Sequence, residues 1–153
     1  MIRCAIVGER SNSYSRELHK IVDRLPSYWQ TRINIVKETK ETALYYKAAD
    51  IFVCTSRIES YPRVILEAMA YGLPIITTPV FGIKEQVQEG VNGMFYPSGN
   101  IEHLSELIKS LTTDKNLRAR FSKNSKHVLN KINDFDDMIR QYANVFIEAA
   151  YSK

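Results

Sequence analysis

Two carboxylates eight positions apart, Glu59 and Glu67, bracket the segment Ser60-Tyr61-Pro62-Arg63-Val64. Glu67 stands inside the apolar run Val64-Ile65-Leu66-Glu67-Ala68-Met69-Ala70. Burying a charge in such a run costs several kcal/mol unless it is paired or hydrogen-bonded, so Glu67 needs a partner. A carboxylate can accept two hydrogen bonds from vicinal hydroxyls, as acidic residues do for a ribose; the simpler alternative is an ion pair with Arg63, its i, i+4 neighbour on a helix. Between the two acids a helix begins, and its unpaired N–H groups and positive dipole end bind phosphate. Ser60, Tyr61, Arg63 and Val64 carry N–H groups to offer there, while Pro62 has none and shapes the turn. Glu67 lies roughly 6–8 Å further along the helix axis, within reach of a ribose attached to that phosphate. Glu59, on the other side of the phosphate, can hold hydroxyls of a sugar beyond it, or be an ordinary exposed loop acid. The spacing fits a nucleoside-diphosphate sugar.

The elements around these residues follow from periodicity. Ile2 to Val7 reads as a short buried strand that stops at Gly8-Glu9-Arg10. Ser15 to Leu25 carries apolar residues at helical spacing, with Pro26 as the stop. Arg32 to Val36 alternates like a strand, and Thr42 to Ala49 reads as a short helix. Ile51 to Cys54 is a strand, the loop Thr55 to Tyr61 follows, and a helix runs from Pro62 to about Tyr71, ended by Gly72 and Pro74. Pro74 to Thr78 is the next strand, Gly82 to Val87 a helical turn, and Met94 to Tyr96 a last strand. Helices then span Ile101–Leu111, Asp114–Ile132 and Phe135–Tyr151, with Asn100, Asp114 and Asp134 as N-caps. Strands alternating with helices predict an α/β fold, a doubly wound parallel sheet with a helical C-terminus. Ligands of such sheets bind outside the carboxyl ends of the strands, so the loops after Val7, Val36, Cys54 and Thr78 are expected on one rim.

Composition excludes several classes. The 153 residues are 44% apolar, enough for a real core and an expected single compact unit. No run approaches the roughly 18 apolar residues of a membrane span, and the N-terminus is too short for a signal peptide, so a cytoplasmic location is expected. Cys4 and Cys54 lack CxxC spacing and read as reduced core thiols. His19, His103 and His127 lie on separate predicted helices, which gives no metal-ligand spacing. Tyr45-Tyr46 reads as helix packing. Asp134-Phe135-Asp136-Asp137 has the form of a DxD metal motif but sits where a helix starts, so capping explains it. The net charge of +4 is spread along the chain; without a basic stripe or aromatic platform it does not indicate nucleic-acid binding. The chain has no P-loop and no GxGxxG.

The segment from Asp50 to Ile76, with its acid, seven residues, acid, Ala-Met-Ala and Gly-Leu-Pro, closely resembles the donor-binding signature of retaining glycosyltransferases of family 4. Gly82 to Val87, Gly90-Val91-Asn92-Gly93, Pro97-Ser98-Gly99-Asn100 and Ile6-Val7-Gly8 are similar to the same family. The resemblance implies the C-terminal Rossmann-like half of a GT-B fold, which binds a nucleoside-diphosphate sugar. It implies that Glu59 is the catalytic-site acid at the donor sugar, that Ser60, Tyr61, Arg63 and Val64 cradle the diphosphate, and that Glu67 holds the ribose. It also implies that Gly8, Glu9, Lys37 and Glu38 flank the base, although relatives usually have a glycine where this chain has Val36-Lys37. It implies transfer of a hexose-type sugar, with retention, to a glycan, lipid or small-molecule acceptor, with no metal or other cofactor.

Measured against that family, the acceptor-binding half is not in these 153 residues. The first strand, with its Arg and Lys for the diphosphate, also has no match; Arg10 and Lys20 are the available substitutes. The expectation is a fragment that is inactive alone, or an oligomer whose missing strand comes from a second copy. The nucleotide-sugar donor and the acceptor domain of a parent protein are the expected partners, with membrane-surface association through that parent. The competing reading is a noncatalytic Rossmann-like module that binds a nucleotide or another protein.

Overall fold

The computed structural model describes residues 2–132 and 135–151. The chain divides into two compact units, Met1–Ala49 and Asp50–Lys153.

In the first unit, strand β1 (Cys4–Glu9) pairs in parallel with β2 (Ile33–Lys37), Ile6 opposite Ile35. Between them lie helix α1 (Ser13–Asp23) and the short α2 (Ser27–Gln30), a turn absent from the periodicity; α3 (Thr42–Ala48) follows β2. The β1 strand runs past the expected stop at Gly8, because Gly8, at φ +98°, forms a bulge that lets Glu9 rejoin the ladder opposite Lys37. Its burial also differs from expectation. Cys4, Ala5 and Val7 are exposed, and Cys4 is therefore a surface thiol, not a core one. Among the described residues β1 pairs only with β2, so an apolar run that reads as a buried strand forms a half-covered edge.

The second unit holds the core. Its strands β3 (Phe52–Cys54), β4 (Ile75–Thr77) and β5 (Gly93–Phe95) form one parallel sheet in the order β3-β4-β5. Helix α4 (Arg63–Ala70) connects β3 to β4, and α5 (Ile83–Gln86) lies between β4 and β5. The central strand β4 is buried throughout, as expected for a continuous apolar run in a parallel sheet. Ile76, Tyr96, Leu111 and Phe121 form the core cluster, with Leu111 from α6 (Ile101–Thr113) and Phe121 from α7 (Lys115–Leu129). Cys54 is a buried thiol, as expected. The last helix, α8 (Phe135–Tyr151), leaves Tyr142, Phe146 and Tyr151 exposed.

Helix ends obey the capping chemistry of their sequences. Asn100 Oδ1 accepts from His103 N at 2.9 Å and Asp114 Oδ1 from Leu117 N at 2.9 Å. The third expected cap, Asp134, lies outside the described residues. The α4 helix ends in a Schellman arrangement, with Leu73 N donating to Ala68 O and Gly72 N to Met69 O, and Gly72 takes the left-handed φ of +71° that this turn requires. Asp114→Ala should cost about 1 kcal/mol of stability, read from the urea midpoint at unchanged slope.

Candidate functional site

The residues singled out by their spacing converge at the carboxyl end of β3. Glu59 is half-buried in the loop between β3 and α4, and Ser56 Oγ donates to its Oε1 at 2.9 Å. Ser56 is itself anchored: its hydroxyl lies 3.5 Å from Cys54 Sγ, and its carbonyl accepts from the Thr78 hydroxyl. Thr78 follows β4, so the loops after β3 and β4 meet here, as expected for neighbouring strands of a parallel sheet.

Pro62 is the N-cap of α4, with the helix starting at Arg63 one residue later than its sequence suggests. No side chain caps this end. The first-turn N–H groups of α4 therefore face the rim without a side-chain acceptor, in the way anion-binding helix ends do. Ser60, Tyr61, Arg63 and Val64 are exposed, while Pro62 is buried and its carbonyl accepts from Gln86 Nε2 at 3.1 Å. Burial first, and then the charge of Glu85, pushes the Tyr61 hydroxyl up, so it remains a protonated donor at neutral pH.

Glu67 departs from the reading of its surroundings. The helix buries Ile65, Ala68 and Met69, whereas Val64 and Glu67 are exposed on another face. A mostly apolar helix of eight residues still has two faces, and only one of them meets the core. The need to neutralise a buried charge is thus removed, and what remains is an acid on the accessible face of α4, one turn beyond the helix start.

The 78–82 segment carries residues that the spacing of acids does not reveal. Gly82 has an ordinary φ of −66°, so its backbone does not call for glycine. Space does: a Cβ on Gly82 would lie 1.8 Å from the Ser60 carbonyl oxygen and 3.2 Å from Tyr61 Cδ2. Thr78, Gly82 and Gln86 together fix the backbone of the Ser56–Pro62 loop. The Gly-Ile-Lys-Glu pattern is visible in the sequence, but its contact with Ser60 is a tertiary fact.

In the first unit, Gly8 and Glu9 line a concavity with Asn12, Tyr14 and Ser15. The Glu9 side chain is 8% exposed; it accepts from the Ser15 hydroxyl and lies 3.9 Å from His19 Nε2. Lys37 and Glu38 are exposed, and Glu38 N donates to Glu9 O at 3.1 Å, so the two loop segments expected near the base adjoin each other. Arg10 donates to Glu38 from two of its three guanidinium nitrogens, Nη2 at 2.7 Å and Nε at 3.1 Å, and holds the Glu38 carboxyl below its ordinary value. Arg10 is therefore already engaged and a poor substitute for a phosphate-binding arginine; Lys20 lies 3.8 Å from Glu17. The three histidines sit on α1, α6 and α7, as expected, and among the described residues no three His, Cys, Asp or Glu side chains converge. No described helix is long and apolar enough to cross a membrane.

Comparison with known proteins gives the family of the chain. The family profile described as glycosyl transferases group 1 matches residues 1–128. Spore coat protein SA of Bacillus subtilis is 36% identical over 117 residues, which are 75% of this chain and 30% of that protein. A D-inositol 3-phosphate glycosyltransferase of Streptomyces bingchenggensis is 30% identical over 147 residues, 94% of this chain and 32% of that protein. Among solved structures, Anabaena HepE in complex with UDP superposes with a TM-score of 0.86 at 25% identity, covering 96% of this chain and 41% of HepE. HepE has also been solved with UDP-glucose, at a TM-score of 0.84. The chain spans less than half the length of each of these relatives. Its fold is that of one part of these GT-B enzymes, and the chain belongs to the group 1 glycosyltransferases.

Proposed function

We propose that this chain binds a nucleoside-diphosphate sugar as the donor half of a retaining glycosyltransferase. The carrying observation is the uncapped start of α4 set between a pinned acid, Glu59, and an exposed acid, Glu67, one turn in. In this reading the N–H groups of Ser60, Tyr61, Arg63 and Val64 hold the diphosphate, Glu67 accepts from the ribose hydroxyls, and Glu59 accepts from hydroxyls of the sugar. The names of the HepE complexes, with UDP and with UDP-glucose, support a uridine nucleotide as the first probe.

The chemistry follows from charge. As the bond between the anomeric carbon and the diphosphate oxygen breaks, positive charge grows on the ring and negative charge on the phosphate. Donors already aimed at that phosphate stabilise the leaving group without reorganising, so the reading needs no metal. The acceptor oxygen bonds to the anomeric carbon on the face the phosphate leaves, and its proton passes to the departing phosphate oxygen. Glu59 orients the sugar and forms no covalent bond to it. An acceptor-binding half, from the rest of a longer polypeptide or from a partner, completes the site, and a hexose passes to a glycan, lipid or small-molecule acceptor. Without that half the chain binds donor but does not transfer it.

Glu59→Ala separates sugar from nucleotide. In calorimetry the variant should bind UDP within about twofold of wild type, while UDP-glucose affinity falls about tenfold or more, the scale of losing hydrogen bonds to a charged group. Equal affinities of wild type and variant for UDP-glucose would remove Glu59 from the site. A wild-type chain that binds neither compound would favour the noncatalytic reading.

A further inference from the structure

Phe81 is the one non-glycine among the described residues with a positive φ, at 42°. A bulky residue in the left-handed region is a genuine outlier, because its Cβ crowds the carbonyl that follows. The side chain gives no packing in return, since Phe81 is 70% exposed. Strain held without burial marks a position where the ring serves something other than stability. Its place in the fold says what. Phe81 lies between the two points at which the loop after β4 touches the loop after β3: the Thr78 hydroxyl on the Ser56 carbonyl, and Gly82 against the Ser60 carbonyl. Hydrogen bonds from Val80 N to Thr78 O at 2.9 Å and from Lys84 N to Phe81 O at 3.3 Å hold the turn on both sides of it. An exposed aromatic ring is thus held at the rim that carries Glu59, where the polar face of a sugar would be bound by its hydroxyls.

We propose that Phe81 is a sugar-specificity residue whose ring packs against the apolar C–H face of a pyranose while Glu59 takes hydroxyls of a sugar at the same rim. An aromatic face is electron-rich and apolar, which suits the axial C–H groups of a sugar ring and leaves its equatorial hydroxyls free for polar partners. This rests on the donor-site reading above. The ring belongs either to the sugar of the donor or to a sugar acceptor, and two titrations separate them.

The experiment compares wild type with Phe81→Gly, Phe81→Leu and Phe81→Trp by calorimetry, using UDP, then UDP-glucose, then methyl glucoside added to UDP-saturated protein. Phe81→Gly relieves the backbone strain, so its melting temperature should rise by about 2–5 °C, which also shows that the variant is folded. UDP binding should stay within about twofold of wild type. A loss of about threefold to tenfold for UDP-glucose, shared by Phe81→Leu and not by Phe81→Trp, assigns the ring to the donor sugar. The same loss confined to methyl glucoside assigns it to the acceptor. If Phe81→Gly binds both compounds as tightly as wild type does, the proposal is overturned while the donor site stands. If wild type binds UDP but Phe81→Gly does not, the residue supports the loop and not the sugar, and the proposal is again overturned. Absence of all binding by the wild type overturns the donor-site reading and this inference with it.

Discussion

Glu67→Ala should weaken UDP binding about 10- to 100-fold while leaving the melting temperature of the chain almost unchanged. The first half follows from a bidentate, charge-assisted contact: two hydrogen bonds from a ribose diol to a carboxylate amount to about 1.5–3 kcal/mol of binding free energy. The second half follows from placement. Glu67 is exposed on α4 while Ile65, Ala68 and Met69 carry the packing, and an exposed substitution to alanine in a helix changes stability by no more than about 0.5 kcal/mol. Loss of affinity together with loss of stability would instead make Glu67 a structural residue. Unchanged affinity for UDP would remove the ribose from its role. Glu67→Gln, which keeps one acceptor oxygen and loses the charge, should fall between the two.

Gly82→Ala should have the larger effect on the molecule as a whole. At a φ of −66° alanine is conformationally easy, and restricting the unfolded chain would by itself stabilise the protein by about 0.4–1 kcal/mol. The new methyl, however, would sit 1.8 Å from the Ser60 carbonyl oxygen, and that neighbour is backbone, not the end of a flexible side chain. The Ser60–Tyr61 peptide must move by more than an ångström, which moves the segment proposed to cradle the diphosphate. We expect a net destabilisation of about 1–3 kcal/mol, as for other overpacked sites, and loss of UDP binding by more than tenfold. A variant as stable as wild type would show that the loop relaxes freely. If that variant also bound UDP normally, the position of the Ser56–Pro62 loop would not matter for the nucleotide. On this account the proposed donor site depends on a glycine that offers no side chain and leaves room for the Ser60 carbonyl.

How much of this was legible in the sequence differs from link to link. Element order was legible, because helical and strand periodicities are local, and so were the caps at Asn100 and Asp114, whose side chains bond a backbone N–H three residues on. The rim position of Glu59 was legible from the strand before it and the proline after it. Burial was not. Ile2 to Val7 and Val64 to Ala70 are both apolar runs, yet β1 exposes most of its side chains and α4 exposes Val64 and Glu67. Hydrophobicity records what a residue tolerates, while burial depends on which neighbours the tertiary structure supplies. The contacts that set the Ser56–Pro62 loop, Thr78 to Ser56, Gln86 to Pro62 and Gly82 to Ser60, join residues more than twenty positions apart and have no periodic signature. Phe81 was hidden for a related reason: a phenylalanine gives no turn signal, and its left-handed backbone is imposed by the anchored residues on both sides.

The central claim is that the backbone at the start of α4 holds the diphosphate of a nucleotide. An amide-resolved NMR titration of this chain with UDP tests it most directly. The amides of Ser60, Tyr61, Arg63 and Val64 should shift first and furthest, saturating together with the heat measured by calorimetry, while amides of α8 remain in place. UDP that binds and shifts other amides but leaves these four unmoved would contradict the site.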